Sequence, residues 1–185
     1  GKIELDDSIK AYLPEADYPD ITIRQLLTHA TDLDPFIPNR DQLSADQLRE
    51  AMFHLNHREK RAFLYSDVHF LLLGFLLEAY FKKDLDQILQ EQVLDPWGMK
   101  ETQFGPVSRA VPTVRGQKAG VVHDPKARLL GKHAGSAGLF STVTDLKIFL
   151  EHYLKDSFAD GLSQNFSDLD DKERSLAWNI EGEWL

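Results

Sequence analysis

Tyr65-Ser66-Asp67 sets a phenol, a hydroxyl and a carboxylate side by side, directly ahead of the most apolar stretch of the chain, Val68 to Phe81. A tyrosine accepts a proton only as its phenolate, and a free phenol ionises near about pH 10, so such chemistry needs positive charge close by. A carboxylate at Asp67 works against it unless separately paired. The same triplet also reads as a plain helix start: Ser66 as N-cap, Asp67 at the positive end of the helix dipole, and Tyr65 with Phe70 as a hydrophobic staple. His123-Asp124-Pro125 reads by itself as a turn. Gly135-Ser136-Ala137-Gly138 is a small-residue turn of the kind that lines clefts, but with Ala134 ahead of it the segment falls short of G-x-S-x-G. His54 and His57 have the i,i+3 spacing of metal ligands without a third ligand in register, and read as a solvated helix end. A metal-hydrolase reading would need His123, Asp124 and His133 to converge. His29 and His69 read as packing or hydrogen-bonding histidines, and neither a metal nor a cofactor is expected.

The elements that must position these groups are mostly helical. Val68 to Phe81 is apolar on almost every side, longer than a strand, and reads as a helix buried all round. Leu5 to Leu13 reads as an acid-started helix stopped by Pro14. Thr22 caps a short helix from Ile23 to His29. Ser44-Ala45-Asp46-Gln47 is a capping box opening a helix to about Leu55, and Asp84 with Gln87 repeats the pattern for a helix ending at Asp95-Pro96, where proline disfavours continuation. Trp97-Gly98-Met99 follows as a turn. Lys100 to His133 shows no sustained period and reads as a long loop or a few short strands. Val143 to Leu154 reads as a helix burying Leu146, Phe149, Leu150 and Tyr153, and Ser175 to Ile180 as one short strand. The class is mainly α.

The chain has 185 residues, enough for one domain that buries roughly 70% of its unfolded surface. Acidic residues outnumber basic ones, 30 to 21, and no basic stripe interleaved with aromatics occurs, which argues against nucleic acid and anionic membrane as partners. The longest apolar run, about a dozen residues, is too short to span a bilayer. Cysteine is absent. Gly1-Lys2-Ile3-Glu4 reads as a chain entered midway, so cytoplasm and cell envelope both stay open.

Four segments, in order, carry a family resemblance: Ile21 to His29 (ITIRQLLTH), Tyr65-Ser66-Asp67 with its leucine-rich helix, Leu94 to Met99 (LDPWGM), and Gly135 to Leu146. Together they resemble the bacterial serine hydrolases of the β-lactamase and penicillin-binding-protein type, in the class C-like group of esterases and D-amino-acid peptidases. The resemblance implies that residues 1–185 are a single helical domain, the helical lobe of that α+β fold. It implies cleavage of an ester, amide or β-lactam, in a small-molecule or peptidoglycan-like substrate, through an acyl-enzyme. Tyr65 would be the tyrosine of a Y-x-N motif, with Asp67 where asparagine is usual. His123 and Asp124 resemble a "VHD" element, and with Gly135 and Ser136 would contact substrate. Ala30-Thr31-Asp32-Leu33 replaces the commoner T-S-G-L and loses its glycine. No serine is followed three positions later by lysine, Thr144 to Lys147 has that spacing inside a helix, and His133-Ala134-Gly135 spells H-x-G ahead of a helix rather than on a strand. The chain is therefore expected to lack the S-x-x-K segment and the K-T-G or H-x-G strands of a longer parent, and to be inactive by itself. The alternative is a non-catalytic binding module derived from the same fold.

Overall fold

The computed structural model describes residues 2–113, 116, 118–155, 159–170 and 172–180. Local capping chemistry starts most of its helices. Helix α1 (Ile23–Leu27) and helix α2 (Ala45–Met52) each open on a full capping box, in which the Thr22 or Ser44 hydroxyl accepts from the N–H of Gln25 or Gln47 and the glutamine carbonyl accepts from the cap residue's own N–H. Helix α3 (Asp67–Phe81) starts at Ser66, whose hydroxyl accepts from the Val68 N–H. Helix α4 runs from Leu85–Leu89 through a π turn, Gln90–Leu94, into Asp95–Trp97. Helix α5 (Pro125–Leu130) is capped by the Asp124 carboxylate, and helix α6 (Val143–Tyr153) by the Thr142 hydroxyl. The two short strands β1 (Gln103–Phe104) and β2 (Leu139–Phe140) pair antiparallel, Gln103 facing Phe140 and Phe104 facing Leu139.

Helix α3 is the centre of the core. Leu71, Leu72, Phe75 and Leu76 are fully enclosed by Ile9, Leu13, Leu26, Leu48, Met52 and Phe53. Towards its C-terminal end Glu78, a buried carboxylate, ties several elements together. It accepts from Arg49 of α2 at 2.9 Å, from the Leu85 N–H that opens α4 at 3.0 Å, and contacts His133 Nδ1 at 2.5 Å.

Several expectations are corrected. Residues 5 to 13 form one 3-10 turn, Ile9–Ala11, rather than a helix, because the backbone there pairs across to residues 21–24: Ile9 donates to Ile21 O, Ile23 to Asp7 O and Arg24 to Leu5 O. Asp84 caps nothing; its carboxylate is drawn to Lys132, and Glu78 supplies the acceptor at the start of α4 instead. That helix does not stop at Pro96 but passes it and ends at Gly98 (φ 74°). The π turn just ahead widens the coil where the proline ring would meet the carbonyls of the preceding turn. The stretch after Lys100 contains α5, whose Asp-Pro start supplies N-cap and N1 together. Ser175 to Ile180 is a tight turn closed by an Arg174–Asn179 bridge, with Ala177 at φ 66°, rather than a strand. Finally, α6 buries only Asp145, which accepts from Thr102 Oγ1 and the Glu101 N–H, while Leu146 and Leu150 stand about half exposed.

Candidate active site

Everything around Tyr65 is organised by His29. Its backbone takes a left-handed φ of 57°, uncommon for a side chain of this size, and the Leu64 N–H donates to its carbonyl while the Ser66 N–H reaches its Nδ1 at 3.4 Å. His29 thus holds the chain on both sides of Tyr65. The rings of Tyr65 and Phe70 rest on its imidazole at 4.9 and 5.3 Å, so the expected staple is bridged by a third ring. Asp32, where the family's glycine would stand, does not have a positive φ; the turn draws that conformation from His29.

A hydrogen-bond chain fixes the tautomers. Because the Ser66 N–H donates to His29 Nδ1, that nitrogen is the unprotonated one; His69 Nδ1–H donates to it at 2.7 Å, and Thr31 Oγ1, which also accepts from the Leu33 N–H, donates to His69 Nε2 at 2.8 Å. Both imidazoles are neutral: burial, reinforced by the positive charge of Arg174, pulls His29 down to about 4, and burial beside His29 pulls His69 down to about 3.

Tyr65 itself is 68% exposed, at the mouth of a cavity of about 560 Å³ lined also by Phe63, Phe70, Ser136, Arg174 and Trp178. Phe70 and Ser136 also line a second, apolar cavity of about 700 Å³, and Ser136 Oγ, buried, has no hydrogen-bond partner. The second cavity lies along the Phe70–Leu73–Leu77 stripe of α3, so that helix is not enclosed all round as expected. Gly135 is where the 134–138 turn meets α3: a Cβ there would lie 2.2 Å from the Phe70 carbonyl oxygen. Its missing side chain is what lets Ser136 sit between the cavities.

Asp67 turns away into an ion pair with Lys126 at 3.0 Å, and Asp124 lies 3.7 Å from the same ammonium. Lys126, only 12% exposed, joins two residues that the sequence singled out separately, and nothing in its local pattern marked it. Asp124 also caps α5 through its bond from the Ala127 N–H at 2.7 Å. His123 is exposed and lines neither cavity beside Tyr65. His54 is held by Asp17 and Glu50, and His57 by Asp32. Among the described residues, His, Asp and Glu ligand atoms converge only at Glu78, Asp84 and His133, where Arg49, Lys132 and the Glu78–His133 bond already engage them. His123, Asp124 and His133 do not form such a cluster.

A helix-centred fold with a tyrosine just ahead of its central helix and a small-residue turn packed against that helix is the helical portion of a β-lactamase-type fold. The Beta-lactamase family model matches residues 1–185, and the chain belongs to that family. A protein of Escherichia coli (strain K12), provisionally named a D-alanyl-D-alanine carboxypeptidase, is 29% identical over 196 residues, covering 83% of this chain and 45% of its own length. A Salmonella gallinarum protein with the same provisional name is 25% identical over 82% of this chain and 45% of its own. The chain thus spans about half the length of the curated relatives it matches. Among solved structures, FmtA from Staphylococcus aureus superposes with a TM-score of 0.69 at 18% identity, covering 97% of this chain and 53% of that one. A beta-lactamase/D-alanine carboxypeptidase from Pseudomonas syringae gives 0.65 at 16% identity, covering 94% and 52%. At these identities the superpositions speak for the fold alone.

Proposed function

We propose that these residues are the helical part of a serine hydrolase that cleaves an ester, amide or β-lactam through an acyl-enzyme, and that the serine and lysine of the S-x-x-K segment and the K-T-G or H-x-G strands come from outside them. The observation that carries this reading is the pair of cavities meeting at Ser136 and Phe70: one apolar, along the half-buried Phe70–Leu73–Leu77 stripe of α3, the other opening on Tyr65. An apolar helix seated in the first would bring a nucleophile from its end towards the second. The serine Oγ then attacks the carbonyl carbon as Tyr65, as phenolate, takes its proton; the scissile bond breaks, the leaving group receives that proton, and water later cleaves the ester. Without that serine the residues in hand have no route to acylation. Peptidoglycan-like peptides enter as substrate candidates through the provisional names of the relatives. Ser136 lies within reach of bound substrate, whereas the exposed His123, the paired Asp67 and Asp124, and the tightly packed Gly135 act through the framework.

A fluorophosphonate serine probe tests this. The longer protein should be labelled at the serine of S-x-x-K and this chain should not, and Tyr65→Phe in the longer protein should lower turnover by about 10²–10⁴-fold. Labelling of this chain, or a longer protein that carries no S-x-x-K and takes no label, would overturn the reading.

A further inference from the structure

Helix α6 is apolar on two sides. Its inner side is occupied: Phe149 packs on Trp97, whose indole stacks on His152, and Asp145 is buried against Thr102. The outer side carries Val143, Leu146, Leu150 and Leu154, each 48–85% exposed, at the three- and four-residue spacings that align side chains in one stripe. Polar residues ordinarily fill the outer face of such a helix. A groove of about 470 Å³ follows the stripe, and every residue lining it belongs to α6 or to the two positions after it. No other described element overhangs this face.

The charges beside the stripe are self-complementary. Lys147 and Glu151 stand exposed on one flank of it, four residues apart, and within a single chain they pair with each other. Two antiparallel copies of α6 related by a two-fold axis set that same flank of both helices side by side. With the axis level with residue 149, Lys147 of each copy meets Glu151 of the other, so the attractive contact is made twice. The same axis seats Leu146 between Leu150 and Leu154 of the other copy and Val143 beside its Leu154. A parallel pair would set lysine against lysine and glutamate against glutamate.

We propose that the outer stripe of α6 is a self-association surface, on which a second copy of this chain docks antiparallel to form a two-fold dimer. The apolar side chains and the stems of the flanking charges bury on the order of 1,000 Å² over both copies, the low end for a specific interface. The dimer is therefore weak, half formed at about 0.1 mM. The net charge of −9 opposes association at long range, but it is screened at about 0.15 M salt, and at the stripe Lys147 and Glu151 cancel.

Sedimentation equilibrium of this chain from about 10 μM to 1 mM, at physiological salt, should show a monomer–dimer equilibrium. Leu150→Lys puts a charge next to the axis and should weaken it by about tenfold or more. Lys147→Glu and Glu151→Lys each bring like charges together across the axis, and each variant alone should dimerise about tenfold more weakly. An equimolar mixture of the two restores opposite charges at both contacts and should associate at least as tightly as the original chain. Recovery in the mixture also shows that both variants are folded. A chain that stays monomeric to about 1 mM, as when another segment or another protein covers the stripe, would overturn the dimer. So would a Leu150→Lys chain that associates as before, or a mixture no tighter than its components. Serine-probe labelling of the longer protein does not bear on this result, so the two readings fail separately.

Discussion

Lowering the pH from 7 to 5 should destabilise the folded chain steeply through the buried pair His29 and His69. In the folded state both titrate far below the ordinary histidine value of 6.5, at about 4 and about 3, chiefly because burial disfavours the charged ring. The unfolded chain therefore binds protons between pH 6.5 and 4 that the folded one does not, and stability falls as pH falls. At pH 5 the unfolded state gains about 2 kcal/mol from each histidine relative to neutral pH, about 4 kcal/mol for the two. Since the unfolded value sets that figure, it changes little with how far below 5 the folded values lie. His54 acts in the opposite sense, held above its ordinary value by Asp17 and Glu50, but it is exposed and contributes only a few tenths of a kcal/mol. Against a total stability of about 5–15 kcal/mol the loss is large. Urea denaturation at pH 7, 6 and 5 measures it, and His69→Gln, less stable throughout, should show about half the slope. A stability at pH 5 within about 1 kcal/mol of that at pH 7, or NMR showing either ring protonated at pH 5 in the folded chain, would refute the reasoning.

Glu78→Ala removes the acceptor shared by Arg49, His133 and the Leu85 N–H. Because Arg49 and His133 are each about a third exposed and regain water, the cost should be about 2–3 kcal/mol by urea melt, below the full penalty for a broken buried pair. Gly135→Ala drives a methyl into the Phe70 carbonyl and should cost about 1–3 kcal/mol, whereas Gly161→Ala, with its nearest neighbour at 3.8 Å, should stay within about 0.5 kcal/mol. Lys126→Met keeps most of the packing of a nearly buried stem but leaves Asp67 and Asp124 without their shared cation, and should cost about 1–2 kcal/mol on the same assay.

What was legible in the sequence was the chemistry that closes within a few residues. The Thr22, Ser44 and Ser66 caps all form, because each pairs a hydroxyl with an N–H two or three positions ahead. Asp84 has the same local pattern and fails, since Lys132, distant in sequence, competes for its carboxylate. The π turn before Pro96 has no periodic signature, and the strand expected at 175–180 gave way to tertiary bonds: Ala177 donates to Leu27 O and Ser175 to Trp178 O. The Asp124-Pro125 start of α5 read as a site element or a turn, and the structure makes it a helix cap. For α6 the amphipathic pattern was correct and its burial was not, because a pattern says which face is apolar and not what covers it. At the site, Tyr65 was visible in the triplet, while Lys126 and Arg174 were not, since each acquires its meaning from a partner the fold brings in.

That difference is clearest at Asp67. Read from the sequence, Asp67 opposes a phenolate two residues away, which counts against Tyr65 as a proton acceptor. In the fold its carboxylate pairs with Lys126 at 3.0 Å, and Asp124 lies 3.7 Å from the same ammonium. Arg174 lines the same cavity as Tyr65, and its positive charge adds to burial in holding His29 neutral. The carboxylate that the sequence sets two residues from the phenol is thus engaged by a lysine on another helix, a partner that only the fold supplies.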